Sequence, residues 1–147
     1  MKTETRFPPI QNEESTNNVA NSGCTGHFFL AFANSPLINI QVATKSVPVK
    51  QPDGSFIYST HTAELDTPLL PKKAREAHLF PNLEQGLISI GQLCDSGCEV
   101  LFEATSAEVH FEDNIILVGH RSQRTRLWHL NLASTPIEQS NNNKLKI

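Results

Sequence analysis

The sequence predicts an all-β fold, a small closed β-barrel with one short helix. Three observations point to it. Short segments rich in Val, Ile and Phe recur at spacings of roughly 8 to 12 residues, with turn residues between them. Apolar and polar residues alternate with period two through Ile38, Ile40 and Val42, and again at Val47 and Val49. One compact stretch, Gly91 to Gly97, has the length and glycine punctuation of a short helix. At 147 residues the chain is one domain, large enough to bury a core.

Taken in order, residues 1–17 are polar and read as a flexible arm, and residues 133–147 as a flexible tail, leaving 18–132 as the folded domain. The domain begins with "VANSGCTG" followed by "HFFL", a small polar triplet held between an apolar entry and an aromatic exit. "LINIQVATKSVPVK" and "FIYSTHTAEL" then flank Pro52-Asp53-Gly54. Proline presets φ and glycine permits φ > 0, so the segment predicts a long β-hairpin with Asp53 and Gly54 at its tip. In "LPKKAREAHLFPNL" a helical turn is expected from Lys72 to Ala77, stopped by Pro81. "GLISIGQLCDSG" predicts a buried strand from Leu87 to Ile90 that breaks at Gly91 into the short helix, which Gly97 ends. The segment from Cys98 to Leu130 alternates as strands, with Glu112-Asp113-Asn114 as a hairpin turn.

Composition narrows the function. The net charge is -3, which offers no basic footprint for nucleic acid, and the local "GHRSQRTRLWHL" charges read as a solvated strand edge. No apolar run approaches the roughly 20 residues that span a bilayer, and the first residues lack the apolar core of a secretory signal, so no membrane partner and an intracellular location are expected. Cys24, Cys94 and Cys98 cannot all pair within one chain, and free thiols are expected. Cys94 and Cys98 form a C-x3-C, but no second cysteine pair exists and residue 63, two beyond His61, is alanine. That falls short of a zinc ligand set. No metal and no cofactor are expected.

Three features occur in a telling order: the Asn21-Ser22-Gly23 loop, a long hairpin with a glycine at its tip, and the step Ile88-Ser89-Ile90-Gly91 entering a short helix. This order resembles that of retropepsin-like aspartic proteases. "NSGCTGHF", "HTAELDTPLLPKKAREAHLFPNL", "LISIGQLCDSGCEVLF" and "RTRLWHL" are similar to the protease segment of copia-type LTR retrotransposon polyproteins, over about residues 18–132. The resemblance implies a two-fold homodimer in which each chain supplies one catalytic loop, here Asn21, Ser22 and Gly23. It further implies that Cys24, Thr25, Asp53, Gly54, Ser55, Ile90 and Gly91 line the site for a polypeptide substrate, the element's own polyprotein. Residues 44–59 become a mobile flap over the site, and Ser22 becomes a hydroxyl that ties the two loops across the dimer.

The departure lies at the first residue of the triplet, where the family has its catalytic aspartate and this chain has Asn21. In such a dimer two carboxyls share one proton. The ionised one takes a proton from the attacking water and the protonated one donates to the scissile carbonyl. An amide is nearly isosteric but exchanges no proton in that range, so the chain is expected to be an inactive aspartic endopeptidase domain. The alternative is a non-catalytic relative that binds peptide or only dimerises.

Other residues invite chemistry and have plainer readings. His27 is expected to be a packed strand histidine and Cys24 a core residue. Trp128 is expected to seal an edge together with Leu127 and Leu130. Asp95-Ser96-Gly97 spells a second Asp-Ser-Gly but follows "LISIGQLC", so it reads as the cap of the short helix.

Overall fold

A computed structural model of the chain describes residues 17–31 and 36–132. The expected tail and the arm lie outside the described residues, except that Asn17 opens the first strand. The elements are β1 (Asn17–Asn21), β2 (His27–Leu30), β3 (Leu37–Val42), β4 (Pro48–Lys50), β5 (Phe56–Tyr58), β6 (His61–Leu65), α1 (Lys72–Arg75), β7 (Glu76–Phe80), β8 (Leu87–Ser89), α2 (Ile90–Asp95), β9 (Glu99–Phe102), β10 (Ser106–Phe111), β11 (Asn114–Arg121) and β12 (Trp128–Asn131). Among the described residues the fold is all-β with two short helices.

One sheet of ten strands runs in the order β3-β6-β7-β2-β8-β1-β12-β11-β10-β9, and β4 pairs with β5 as a separate ribbon. The closed barrel expected from sequence does not form among the described residues. β3 and β9 stand at opposite ends of the order, each with one hydrogen-bonded neighbour. β3 is unsuited to closing a ring: its residues beyond Leu37 are exposed, and its pairing with β6 slips at a bulge where Asn39 takes φ 56°.

The expectation of one short helix also needs correction. Helical geometry after Pro71 stops at Arg75, and Glu76 is already extended. The next five residues become β7 because Ala77, Leu79 and Phe80 are buried there between β6 on one side and β2 on the other. A continued helix would forfeit both ladders. The second helix begins at Ile90, one residue before the expected break, because the Ser89 side chain caps it by accepting from the Gln92 backbone N–H.

Two pairings are parallel within an otherwise antiparallel sheet: β1 with β8 and β2 with β7. Parallel neighbours need long crossovers, and here they join segments more than forty residues apart in the chain. The main core lies under them, built from Phe29, Leu65, Leu79, Ile88, Leu93, Val109, Leu117 and Leu130. Each such side chain contributes on the order of 1.5–3 kcal/mol by leaving water.

The hairpin forms as expected. β3 pairs with β6 at its base and β4 with β5 further out. Ser59, itself buried, links the two levels: its hydroxyl accepts from Val47 N at 2.8 Å and its carbonyl accepts from the Ser46 hydroxyl at 2.6 Å. At the tip Gly54 takes φ +91°, a conformation that explains the glycine. The turn at the end of β10 also matches, with Glu112 and Asp113 both at positive φ.

Candidate functional site

The loop of residues 21–26 leaves the end of β1 and returns into β2. Asn21 closes it locally: its Oδ1 accepts from the Gly23 backbone N–H at 2.6 Å, a side-chain-to-backbone turn two residues long. The Cys24 thiol points back to the Asn21 carbonyl at 3.6 Å. Asn21 is half-buried, whereas Ser22, Gly23 and Thr25 are exposed. The exposed Ser22 therefore presents its hydroxyl at the surface of the loop.

The parallel pairing of β1 and β8 sets Asn21 directly beside Ser89. Ser89 is fully buried and serves three partners. Its hydroxyl donates to the Cys24 carbonyl at 2.8 Å and accepts from Gln92 N at 3.0 Å, while its backbone N–H donates to His27 Nδ1 at 2.9 Å. The loop at Asn21 and the step at Ile90-Gly91 are thus one structural unit, held from the strand side.

His27 is fully buried and completes that unit. Because a backbone N–H donates to Nδ1, that nitrogen carries the lone pair, and Nε2–H donates to the Ala74 carbonyl at 2.7 Å. The tautomer is set by its partners. Burial is the main reason its pKa falls to about 4, with the neighbouring His78 acting in the same direction and the bond to Ala74 opposing it. The ring is neutral, engaged at both nitrogens and unavailable as a base. Gln92 supplies the remaining ties: Oε1 accepts from His27 N at 3.1 Å, and Nε2 donates to the carbonyls of Lys73 at 2.8 Å and Glu76 at 2.9 Å.

Cys24 packs beside the buried trio Phe28, Ile57 and Phe80, and burial pushes its thiol up, away from thiolate. It is a packing residue, not a nucleophile. The same trio locates the hairpin. Ile57 of β5 and Val49 of β4 meet Phe28, Cys24 and Leu87 there, so the ribbon seats on the side of the molecule that carries the 21–26 loop. The opposite face of the ribbon exposes Phe56 and Tyr58. At the tip, Asp53 accepts from Ser55 N at 2.9 Å and from the Ser55 hydroxyl at 2.6 Å, bonds that hold its carboxyl below its ordinary range. Asp53, Gly54 and Ser55 are fully on the surface, organised by their own turn.

Of the residues singled out from sequence, Asn21, Cys24 and Ile90 are drawn together by Ser89, Gly23 is tied to Asn21 within the loop, and Gly91 lies exposed in the first turn of α2. Thr25 faces a separate cavity of about 460 Å³, shared with Gln92 and Asp95. Asp95 ends α2, and Ser96 caps that end through its backbone and through its hydroxyl, which donates to Gln92 O at 2.8 Å. Trp128 lies under Arg121 at 4.3 Å, meets Phe102 edge-on and donates to Glu103 O. Sequence reasoning missed Ser89 and Gln92. Their signal was present, since both are polar residues inside the apolar "LISIGQL" run.

Among the described residues no group of three or more His, Cys, Asp or Glu is placed to hold a metal ion, and no helix is long and apolar enough to cross a membrane. Compared with protein-family models, curated proteins and solved structures, the chain matches none.

Proposed function

We propose that this chain is a retropepsin-like aspartic endopeptidase domain, of the copia-type retrotransposon kind, silenced by Asn21. One observation carries the reading. Two motifs that the resemblance requires to meet, "NSGCT" and "LISIGQL", lie side by side through the Asn21–Ser89 register and the Ser89–Cys24 hydrogen bond. The seating of the β4–β5 ribbon beside Cys24 supports its role as a flap.

On this reading the loop is half of a site. A second copy of the chain brings its own Asn21 across a two-fold axis, and an extended polypeptide, the element's own polyprotein within the cell, lies between the loops and the flaps. With aspartate at both positions, one carboxylate would take a proton from water while its protonated partner donates to the carbonyl oxygen. With asparagine at both there is no general base.

The test is Asn21→Asp beside the unaltered chain, assayed on a broad peptide library and on a precursor carrying the flanking sequence. Activity is expected from the variant alone, favoured at mildly acidic pH because one carboxyl must keep its proton. It should be blocked by a hydroxyl-bearing mimic of the tetrahedral intermediate. A folded, dimeric variant that cleaves nothing would overturn the peptidase reading and leave a peptide-binding or dimerisation domain. A strict monomer at tens of micromolar would remove the half-site argument itself.

A further inference from the structure

The side chain that holds the 21–26 loop against the rest of the molecule is not in the loop. His27 bonds by one ring nitrogen to the Ser89 backbone N–H and by the other to the Ala74 carbonyl, so it links β8 to α1 through β2. The Ser89 it holds is the same residue whose hydroxyl fixes the Cys24 carbonyl in the loop and caps α2. This arrangement works for one protonation state only. A protonated ring has a hydrogen on both nitrogens, and the Ser89 N–H would then face a second donor.

We infer that His27 is a positioning residue and an acid-release latch for the Asn21 loop: in its neutral form it pins Ser89 and through it the loop, and on protonation it lets both go. The latch concerns where the loop sits and holds whether or not the loop serves a peptidase. The groups around it set its direction. β8 carries no titratable side chain. α1 presents Lys72, Lys73 and Arg75, β7 presents Glu76 and His78, and α2 presents Cys94 and Asp95. Of these, His78 is the one whose field reaches His27, and it disfavours the charged ring, as burial does. Among the described residues both ring nitrogens are engaged by backbone groups and no carboxylate bonds the ring, so the energetic route to protonation is release of the ring from its pocket.

The loop is expected to open as pH falls from the ordinary histidine range near 6.5 towards about 4. With those two values for the released and pinned ring, linkage puts the increase in opening between pH 7 and pH 5 at about twenty-fold. The experiment is amide hydrogen exchange by NMR on the full chain, corrected for intrinsic pH dependence, with the His27 ring nitrogens followed in the same samples. Residues 22–26 and Ser89 should lose protection by about that factor while remaining less protected than Val109 and Leu117 at every pH. His27→Gln replaces the ring with an amide that accepts and donates without titrating, and its loop protection should stay flat over the same range. If the loop never exchanges faster than Val109 and Leu117, it opens only with the whole fold and the latch is disproved. A ring that titrates while loop exchange stays unchanged disproves it equally, and this wild-type measurement decides the matter even if His27→Gln does not fold.

Discussion

Replacing Ser89 with alanine removes one oxygen from a fully buried position and should cost far more than its size suggests. The hydroxyl makes two hydrogen bonds, to Cys24 O at 2.8 Å and from Gln92 N at 3.0 Å. Losing the second strips α2 of its cap, typically about 1 kcal/mol. Losing the first leaves a carbonyl of the half-buried loop without that donor, about 1–3 kcal/mol. The sum is about 2–4 kcal/mol, or a fall in Tm of roughly 10 °C for a chain of this size. Urea unfolding followed by the fluorescence of the single tryptophan, Trp128, reads it directly, with an unchanged m value showing that the comparison is sound. Ser106→Ala is the control, since that hydroxyl reaches only the Glu103 carboxylate, at 3.4 Å on the surface, and should cost within about 0.5 kcal/mol. If the two variants lose the same small amount, the Ser89 hydroxyl does not hold the loop and α2 together.

Two further outcomes follow from the same geometry. The folded value of His27 lies below its unfolded value, so between pH 6.5 and 4 the unfolded chain binds more protons; stability is fully present above 6.5 and is lost as pH falls through that window. The unfolding free energy from denaturant titration should therefore drop by up to about 2 kcal/mol from pH 7 to pH 5, with His78, also shifted down by burial, adding in the same sense. Gly119→Ala should abolish soluble protein or cost upwards of about 3 kcal/mol, because its added Cβ would sit 1.9 Å from the His129 carbonyl oxygen across the β11–β12 ladder; normal expression with an unshifted midpoint would contradict it.

Much of the strand pattern was legible because period-two alternation and turn chemistry are local. The hairpin around Gly54 and the turn at Glu112 and Asp113 need only their own residues to declare themselves. β7 was not legible in the same way. "KKAREAH" has good helix formers, and only the ladders to β2 and β6, both distant in sequence, turn Glu76–Phe80 into a strand. Failure of the barrel to close has a similar origin, since alternation in β3 says which residues differ in polarity but not whether an edge finds a partner. In the site, the loop was visible as a motif, yet its supports were not. Ser89, Gln92 and His27 act through backbone groups of Cys24, Ala74, Lys73 and Glu76, and a bond to a backbone atom leaves no trace in the identity of the residue bonded.

That distinction bears on why an asparagine is tolerated at position 21. The turn asks one thing of the side chain, an oxygen at the δ position to accept the Gly23 N–H, and Asn21 Oδ1 provides it at 2.6 Å. A carboxylate provides the same oxygen, and with a charge behind it the bond is if anything stronger. The second δ atom is where the two residues differ, a nitrogen that only donates against an oxygen that accepts or carries an exchangeable proton. The fold of the single chain is therefore nearly indifferent to the exchange, whereas two-carboxylate chemistry depends on it entirely. In the proposed dimer the indifference ends, because two carboxylates brought face to face must share a proton or repel. Asn21→Asp should then leave the monomer's stability almost unchanged while making dimer formation favour acid over neutral pH. The His27 ring runs the other way, holding the loop best in the neutral form. Any activity gained at position 21 would thus be confined between the pH at which the paired carboxyls lose their shared proton and the lower pH at which His27 lets the loop go.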